Sequence, residues 1–331
     1  MTKGVGLLMK PSISRVAVVL MGICLVVSNA AAQFVAVGYG GRRIVSIDGK
    51  EWTIAAEWAE KGGDDSNNLM SVVFGQGKFV AVGGGGGGPF GKAAGHVLVS
   101  KDGEKWNEVF TSKFRIHPVL FGNDRFVAGG PSRNFLYSTD GESWKEGAKF
   151  TAKEASHFRH GAFDNGRFVF IGNAGGNSPT TWVATTKNGE TLEHIAVDLP
   201  PVRGLTFADG KFVAVGPSGL RMTSRDGKAW ERADSKKGEE LTWVVRAGDR
   251  FVCGGQAAYQ SRDGLEWEPW PARIPCHVLV VTDAVWIGTS WPGQMWHSPD
   301  GKNWTKSKMM PPNGINQAAS SVQGSTNPPA P

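Results

Sequence analysis

Cysteine and tyrosine are both scarce here, three of each among 331 residues. So few cysteines exclude a disulfide-stapled mini-scaffold, and the spacing of Cys253 and Cys276 matches no Cys/His metal framework. No Gly-Lys-Ser/Thr follows the glycine run Gly83–Gly88, which excludes a phosphate-binding P-loop and leaves a long loop. The longest apolar run, Val16–Val27, has twelve residues, short of the roughly 20 a membrane span needs. Net charge is only +6, too little to argue for nucleic acid.

Lys3, Lys10 and Arg15 precede that apolar run, and Ala30-Ala31-Ala32 supplies small residues for cleavage. Residues 1–32 therefore read as a secretory signal peptide, which places the protein in the periplasm or outside the cell. Cys24 follows Met21-Gly22-Ile23 and lacks the small residue that precedes a lipid-bearing cysteine. Removing the three basic residues of 1–32 leaves 33 basic against 30 acidic, a balance of +3. In an oxidising compartment Cys253 and Cys276 can pair or stay as buried thiols.

What the chain has in quantity is glycine, 46 residues, and a repeat. Ser-x-Asp-Gly-x-x-Trp occurs at Ser46–Trp52, Ser100–Trp106, Ser138–Trp144, Ser224–Trp230, Ser261–Trp267 and Ser298–Trp304, with a degenerate copy at Thr186–Leu192. Its Asp or Asn positions are spaced by 54, 38, 48, 38, 37 and 37 residues, the period of a propeller blade. Within a repeat, short β-branched or aromatic stretches end in Gly or Asp-Gly, as in VRGLTFADG, KFVAVG, GLRMTSRDG and KAWERA. Each repeat thus predicts four antiparallel strands, A to D, joined by tight turns. The fold expected is all-β: a seven-bladed propeller over 33–324, with 325–331 a loose tail. Phe34–Gly38 begins as a strand B, so Ile315–Gly324 is expected to supply strand A of blade 1 and close the ring.

The Asp-Gly lies between strands C and D, where it is read as a structural turn with the Trp packed between blades. This pattern resembles the Asp-box, or BNR, repeat of sialidase-like propellers, and the whole unit is similar to BNR-like propellers such as photosystem II assembly factors. Asp and Gly adjoin in the intact copies, whereas the common Asp-box separates them. The resemblance implies the fold, and places any ligand at the starts of the A strands, on the face opposite the Asp-Gly turns.

Aligned on their B strands, the repeats put Met70, His117, Arg159, Arg203, Thr242 and His277 at one level near that mouth, with Arg115, His157 and His160 close by. A ring of His and Arg calls for counter-charges, from a bound anion or from acids such as Glu154 or Glu240. Trp58 and Trp270 fall in D-to-A connections and Trp182 and Trp291 in or beside B-to-C connections, all expected toward the same face. Trp286 and Trp296 read as strand core. With Arg273, the expected ligand-binding set is His117, Arg159, His160, Arg203, Thr242, Arg273, His277, Trp58, Trp270 and Trp291.

Two functions fit. One is an exported, monomeric, non-catalytic binding or assembly module for a protein or glycan, anionic in part, without cofactor or metal. The other, implied by the resemblance, is a sialidase-like hydrolase. Arg273-Ile274-Pro275 matches the sialidase Arg-Ile-Pro, but it precedes the last Asp-box rather than the first and lacks the preceding aromatic residue. Such an enzyme also needs a Tyr nucleophile activated by Glu. Tyr39 lies in a Gly-rich turn, and Tyr137 and Tyr259 lie on C strands beside the repeat serine. No catalytic residue is assigned.

Overall fold

The computed structural model describes Met1 and residues 34–58, 67–85, 95–130, 134–150, 157–164, 166–173, 181–233 and 238–322. The chain divides into a short unit, Met1–Ala30, and the unit Ala31–Pro331, to which everything below refers. No helix among the described residues is long and apolar enough to cross a membrane.

Seven four-stranded antiparallel sheets form a seven-bladed propeller. In blades 2 to 7 the strand order within a sheet follows the chain. Their A strands are Leu69–Gly75, Val119–Gly122, His157–Asp164, Gly204–Ala208, Leu241–Ala247 and His277–Val281. Blade 1 is assembled from both ends: Ile315–Ser320 pairs antiparallel with Phe34–Gly38, which pairs with Arg43–Ser46 and then Thr53–Ala56. The expected closure is therefore present, with Phe34 opposite Ser320. The added strand covers the inner edge of Phe34–Gly38, which would otherwise be open to pairing with another chain.

The B strands are the core. Every residue of Phe34–Gly38 is buried, because each face of a blade packs on a neighbouring blade. One cluster joins Phe34 and Ile44 of blade 1 to Leu279 and Ile287 of blade 7. Burying one such side chain is worth about 1.5–3 kcal/mol, so seven interblade layers supply the main driving force. At the ends of the A strands, Phe121 lies over Gly75 and Phe163 over Gly122. A Cβ at Gly122 would come within 2.3 Å of the Phe163 ring, so glycine is needed for this close approach.

All seven repeat turns share one hydrogen-bond pattern. Two successive backbone amides donate to Oδ1 of the Asp or Asn at 2.7–3.1 Å. In six copies the Gly amide also donates to the Ser or Thr hydroxyl at 2.8–2.9 Å. In five, the Trp indole donates to the Gly carbonyl at 2.6–3.2 Å, which fastens strand D to its own turn. The Ser143 and Glu142 amides hold the Asp140 carboxyl well below the usual range, and the Asn303 and Lys302 amides lower Asp300 to about 2. The turn carboxylates are thus committed to the backbone as structural acceptors.

Cys253 and Cys276 are both free and buried, which settles the open choice between bridge and thiols. Burial pushes both thiols up, Cys253 to about 12.

Candidate functional site

Strand register places one residue of every blade at the same height. Phe74, Phe121, Phe163, Phe207, Arg246, Val281 and Ser320 each pair with the first aromatic residue of strand B. Four residues earlier stand Met70, His117, Arg159, Arg203, Thr242, His277 and Asn316. The sequence alignment identified six of these. It missed Asn316, because blade 1 has no contiguous repeat from which to align its strand A. Met70, Arg159, Thr242 and Asn316 are each the extra residue of a bulge, where two residues of strand A face one of strand B.

These residues separate into two groups. Thr242, Arg273, His277 and Trp291 line a pocket of about 520 Å³ between blades 6, 7 and 1, together with Tyr39, Trp243 and Asn316. Trp291 is 72% exposed and meets Tyr39 edge-on, with ring centroids 5.6 Å apart. Gly314 seats both rings, since a Cβ there would lie 2.6 Å from Tyr39 and 2.8 Å from Trp291. His277 packs edge-on against Trp243, and burial lowers its pKa to about 4, so it is neutral at physiological pH. Its Nε2 is buried with no partner among the described residues. The Thr242 hydroxyl donates to the Gly254 carbonyl at 3.4 Å.

The second group lies on blades 3 and 4. His117 and His160 are buried, at 6% and 4% exposure. Burial first, then the charges of His160, Arg115 and Arg159, lower the His117 pKa to about 3. Arg115 donates through Nε to the Gly84 carbonyl at 2.8 Å. Arg203, on the connection into blade 5, is exposed.

Arg115, Arg159, Arg203 and Arg273 have no ion pair among the described residues. At the other ends of the blades, Lys78, Arg125 and Arg167 each hold one, with Glu142, Glu190 and Glu193 at 2.7–2.9 Å. Arg115, Arg159, Arg203 and Arg273 lie on the face where the A strands begin. Glu154 lies outside the described residues, as does the His157 side chain. Glu240 is half-buried and uses its backbone carbonyl to accept from the Gln256 amide.

Three tryptophan expectations need revision. Trp270 packs against Trp286 at 5.7 Å and donates to the Gly301 carbonyl at 3.1 Å, which ties it to the Asp-Gly turn of blade 7 rather than the mouth. Trp182 is fully buried on strand C of blade 4 (Thr181–Thr186), among Phe150 and Phe158. Trp296 is half-buried, covered by Lys306 at 5.2 Å. For Trp270 and Trp182 the cover comes in part from a neighbouring blade, which no single repeat reveals. Trp58 stays at the expected connection, 40% exposed between Arg43 and His96.

No known family and no curated protein matches this sequence. Solved structures do match in fold. A structure described as YCF48 bound to D1 peptide is 19% identical with a TM-score of 0.53, covering 72% of this chain and 80% of that one. YCF48 from Cyanidioschyzon merolae is 14% identical with a TM-score of 0.50, covering 73% and 87%. A nidogen/laminin complex is 9% identical with a TM-score of 0.52, covering 88% and 98%. At such identities the likeness concerns the fold, which is a seven-bladed β-propeller.

Proposed function

We propose that this protein is an exported, non-catalytic propeller of the BNR-like kind that holds a segment of a protein partner in the pocket between blades 6, 7 and 1. The observation that carries the reading is that pocket: an exposed Trp291 beside Tyr39, an Arg273 without an ion pair, and the partnerless Nε2 of His277, all in one cavity. Aromatic platforms beside arginine are the usual anchors of protein interfaces. Exposed apolar side chains support it further. Trp58, Phe114, Trp291 and Met309 are 40–72% exposed, and all four lie in D-to-A or B-to-C connections of this same face. That a YCF48 structure contains a peptide favours a peptide over a glycan. The basic start, apolar run and small residues of 1–32 support export.

The hydrolase reading loses ground on Tyr259. Its hydroxyl donates to Glu239 at 2.6 Å, but Glu239 also holds Arg221 at 2.9 Å, and this carboxylate contact raises the phenol pKa instead of activating it. The group lies between the C strands of blades 5 and 6, and Tyr259 is absent from the lining of the mouth pocket.

The test probes the folded protein with a peptide array and a glycan array in parallel. Peptide binding is expected, weakened about tenfold or more by Arg273→Ala and by Trp291→Ala while melting stays unchanged, as for hot-spot residues. Binding to glycans alone, or peptide binding indifferent to both substitutions, overturns the reading.

A further inference from the structure

At the opposite end of the channel from the mouth pocket lies a second cavity, of about 580 Å³, lined by blades 1 to 5. Four phenylalanines on successive blades, Phe74, Phe121, Phe163 and Phe207, form part of its wall near the ends of their A strands. Each packs its ring on the first aromatic residue of its own strand B, with centroids 4.6–4.9 Å apart. Each is only half-buried, so part of every ring is left to face the cavity. The same register position holds Arg246, Val281 and Ser320 on the other three blades, which confines the aromatic wall to one side of the channel.

Val73, Pro118, Val119 and Leu120 add to the lining, and no charged side chain among the described residues contributes to it. Several of its polar groups are already engaged. Gln76 donates to the Asp124 and Thr139 carbonyls at 2.9 and 3.1 Å, Gln317 accepts from the Val72 amide at 2.8 Å, and the Ser320 hydroxyl accepts from the Val322 amide at 3.1 Å. The cavity therefore suits an uncharged, largely apolar occupant, because a charge would lose its hydration here with nothing to pair with.

The strand that closes the ring leads into this cavity. Ser320, Ser321 and Val322 belong to its lining, and Val322 is 39% exposed. From Val322 the sequence continues as Gln-Gly-Ser-Thr-Asn-Pro-Pro-Ala-Pro, nine residues without a charge. The five residues between Val322 and Pro328 can span at most roughly 17 Å. A proline-rich segment has an extended form before it binds, so it loses little conformational entropy, and aromatic grooves are the usual receptors for such segments.

We propose that Pro328, Pro329 and Pro331 dock on the phenylalanine wall at this end of the channel, so that the chain carries its own proline-rich ligand. The tether gives the segment an effective concentration on the order of mM, so a contact far too weak to capture a free peptide at micromolar levels is enough to occupy the site. This site is separate from the mouth pocket and does not depend on the peptide reading above.

The experiment compares methyl NMR spectra of the folded protein with and without residues 323–331. Removing them is expected to shift the Val73, Val119 and Leu120 methyls and to leave those of Ile274 and Ile315, beside the mouth pocket, in place. Pro328→Ser, Pro329→Ser and Pro331→Ser, combined in a full-length chain, should reproduce the truncated spectrum, since length is kept and the rings are lost. A synthetic peptide of residues 323–331, added to the truncated protein at concentrations on the order of mM, should restore the original shifts. Val73 and Leu120 methyls that ignore the truncation overturn the proposal. So does a triple variant whose spectrum matches the unmodified chain, or a peptide that moves the Ile274 and Ile315 methyls instead. Full-length spectra that turn into the truncated one on dilution would place the segment in the channel of a second copy, and would overturn docking within one chain.

Discussion

The side chain of Gln317 accepts a 2.8 Å hydrogen bond from the backbone amide of Val72. Gln317 lies on the last strand of the chain and Val72 on strand A of blade 2, so this bond fastens the closing strand to the neighbouring blade. Asn316 does the same one residue earlier, donating to the Leu69 carbonyl at 2.7 Å. Closure therefore rests on side-chain amides that reach into the next blade as well as on the ladder with Phe34–Gly38.

Gln317→Ala leaves the buried Val72 amide without its acceptor and should cost about 1–3 kcal/mol in chemical denaturation. Truncation before Ile315 removes the whole strand and should cost more than that substitution. If the truncated protein unfolds at the same denaturant concentration as the full chain, the closing strand does not contribute to stability.

Trp182→Ala empties a fully buried site among Phe150, Phe158 and Phe135's neighbours, and should lose about 3–5 kcal/mol. Trp291→Ala, at an exposed position, should stay within about 0.5 kcal/mol. Thermal melts of the two variants side by side decide the matter, and similar losses would contradict the placement of Trp291.

Acid should weaken the fold in two stages. Both His117 and His277 have pKa values lowered by burial, to about 3 and about 4, so the unfolded chain takes up protons first. Their contribution is complete above the ordinary histidine pKa of about 6.5 and declines as pH falls toward those folded values. Asp300, lowered to about 2 by the Asn303 and Lys302 amides, contributes above about 3.9 and is lost as pH falls toward 2. A stability profile flat between pH 7 and 4.5 would show that the histidines are not held neutral.

Sialoside reporters should show no turnover. Hydrolysis by the unmodified protein that disappears in Tyr259→Phe would reinstate the enzyme.

The two buried thiols should resist a water-soluble thiol reagent in the folded protein and react on unfolding. Mass spectrometry showing a Cys253–Cys276 bridge would contradict the structure.

Much of the architecture was legible because each repeat carries its own turn chemistry. Asp226 and Gly227 form their turn from atoms within a few residues of each other, so the pattern signals the turn wherever it occurs. The common level of His117, Arg159, Arg203, Thr242 and His277 was legible for the same reason, since register propagates from the aromatic residue at the start of strand B. Trp270 and Trp182 were misread because their surroundings come from other strands: the Gly301 carbonyl belongs to blade 7, and Phe150 to the connection after blade 3.

By itself the sequence determined the blade count, the strand order and the closing strand, all of which follow from local turn signals, short β-branched or aromatic stretches and a period. Tertiary structure alone decided that the residues at the mouth divide into two groups, with Arg273, His277 and Trp291 around one cavity and Arg115, His117 and Arg159 apart on blades 3 and 4. It also decided which side chains lack partners. Partnership depends on distances between blades far apart in the chain, and a pattern that repeats identically along the sequence holds no record of what each copy meets across the ring.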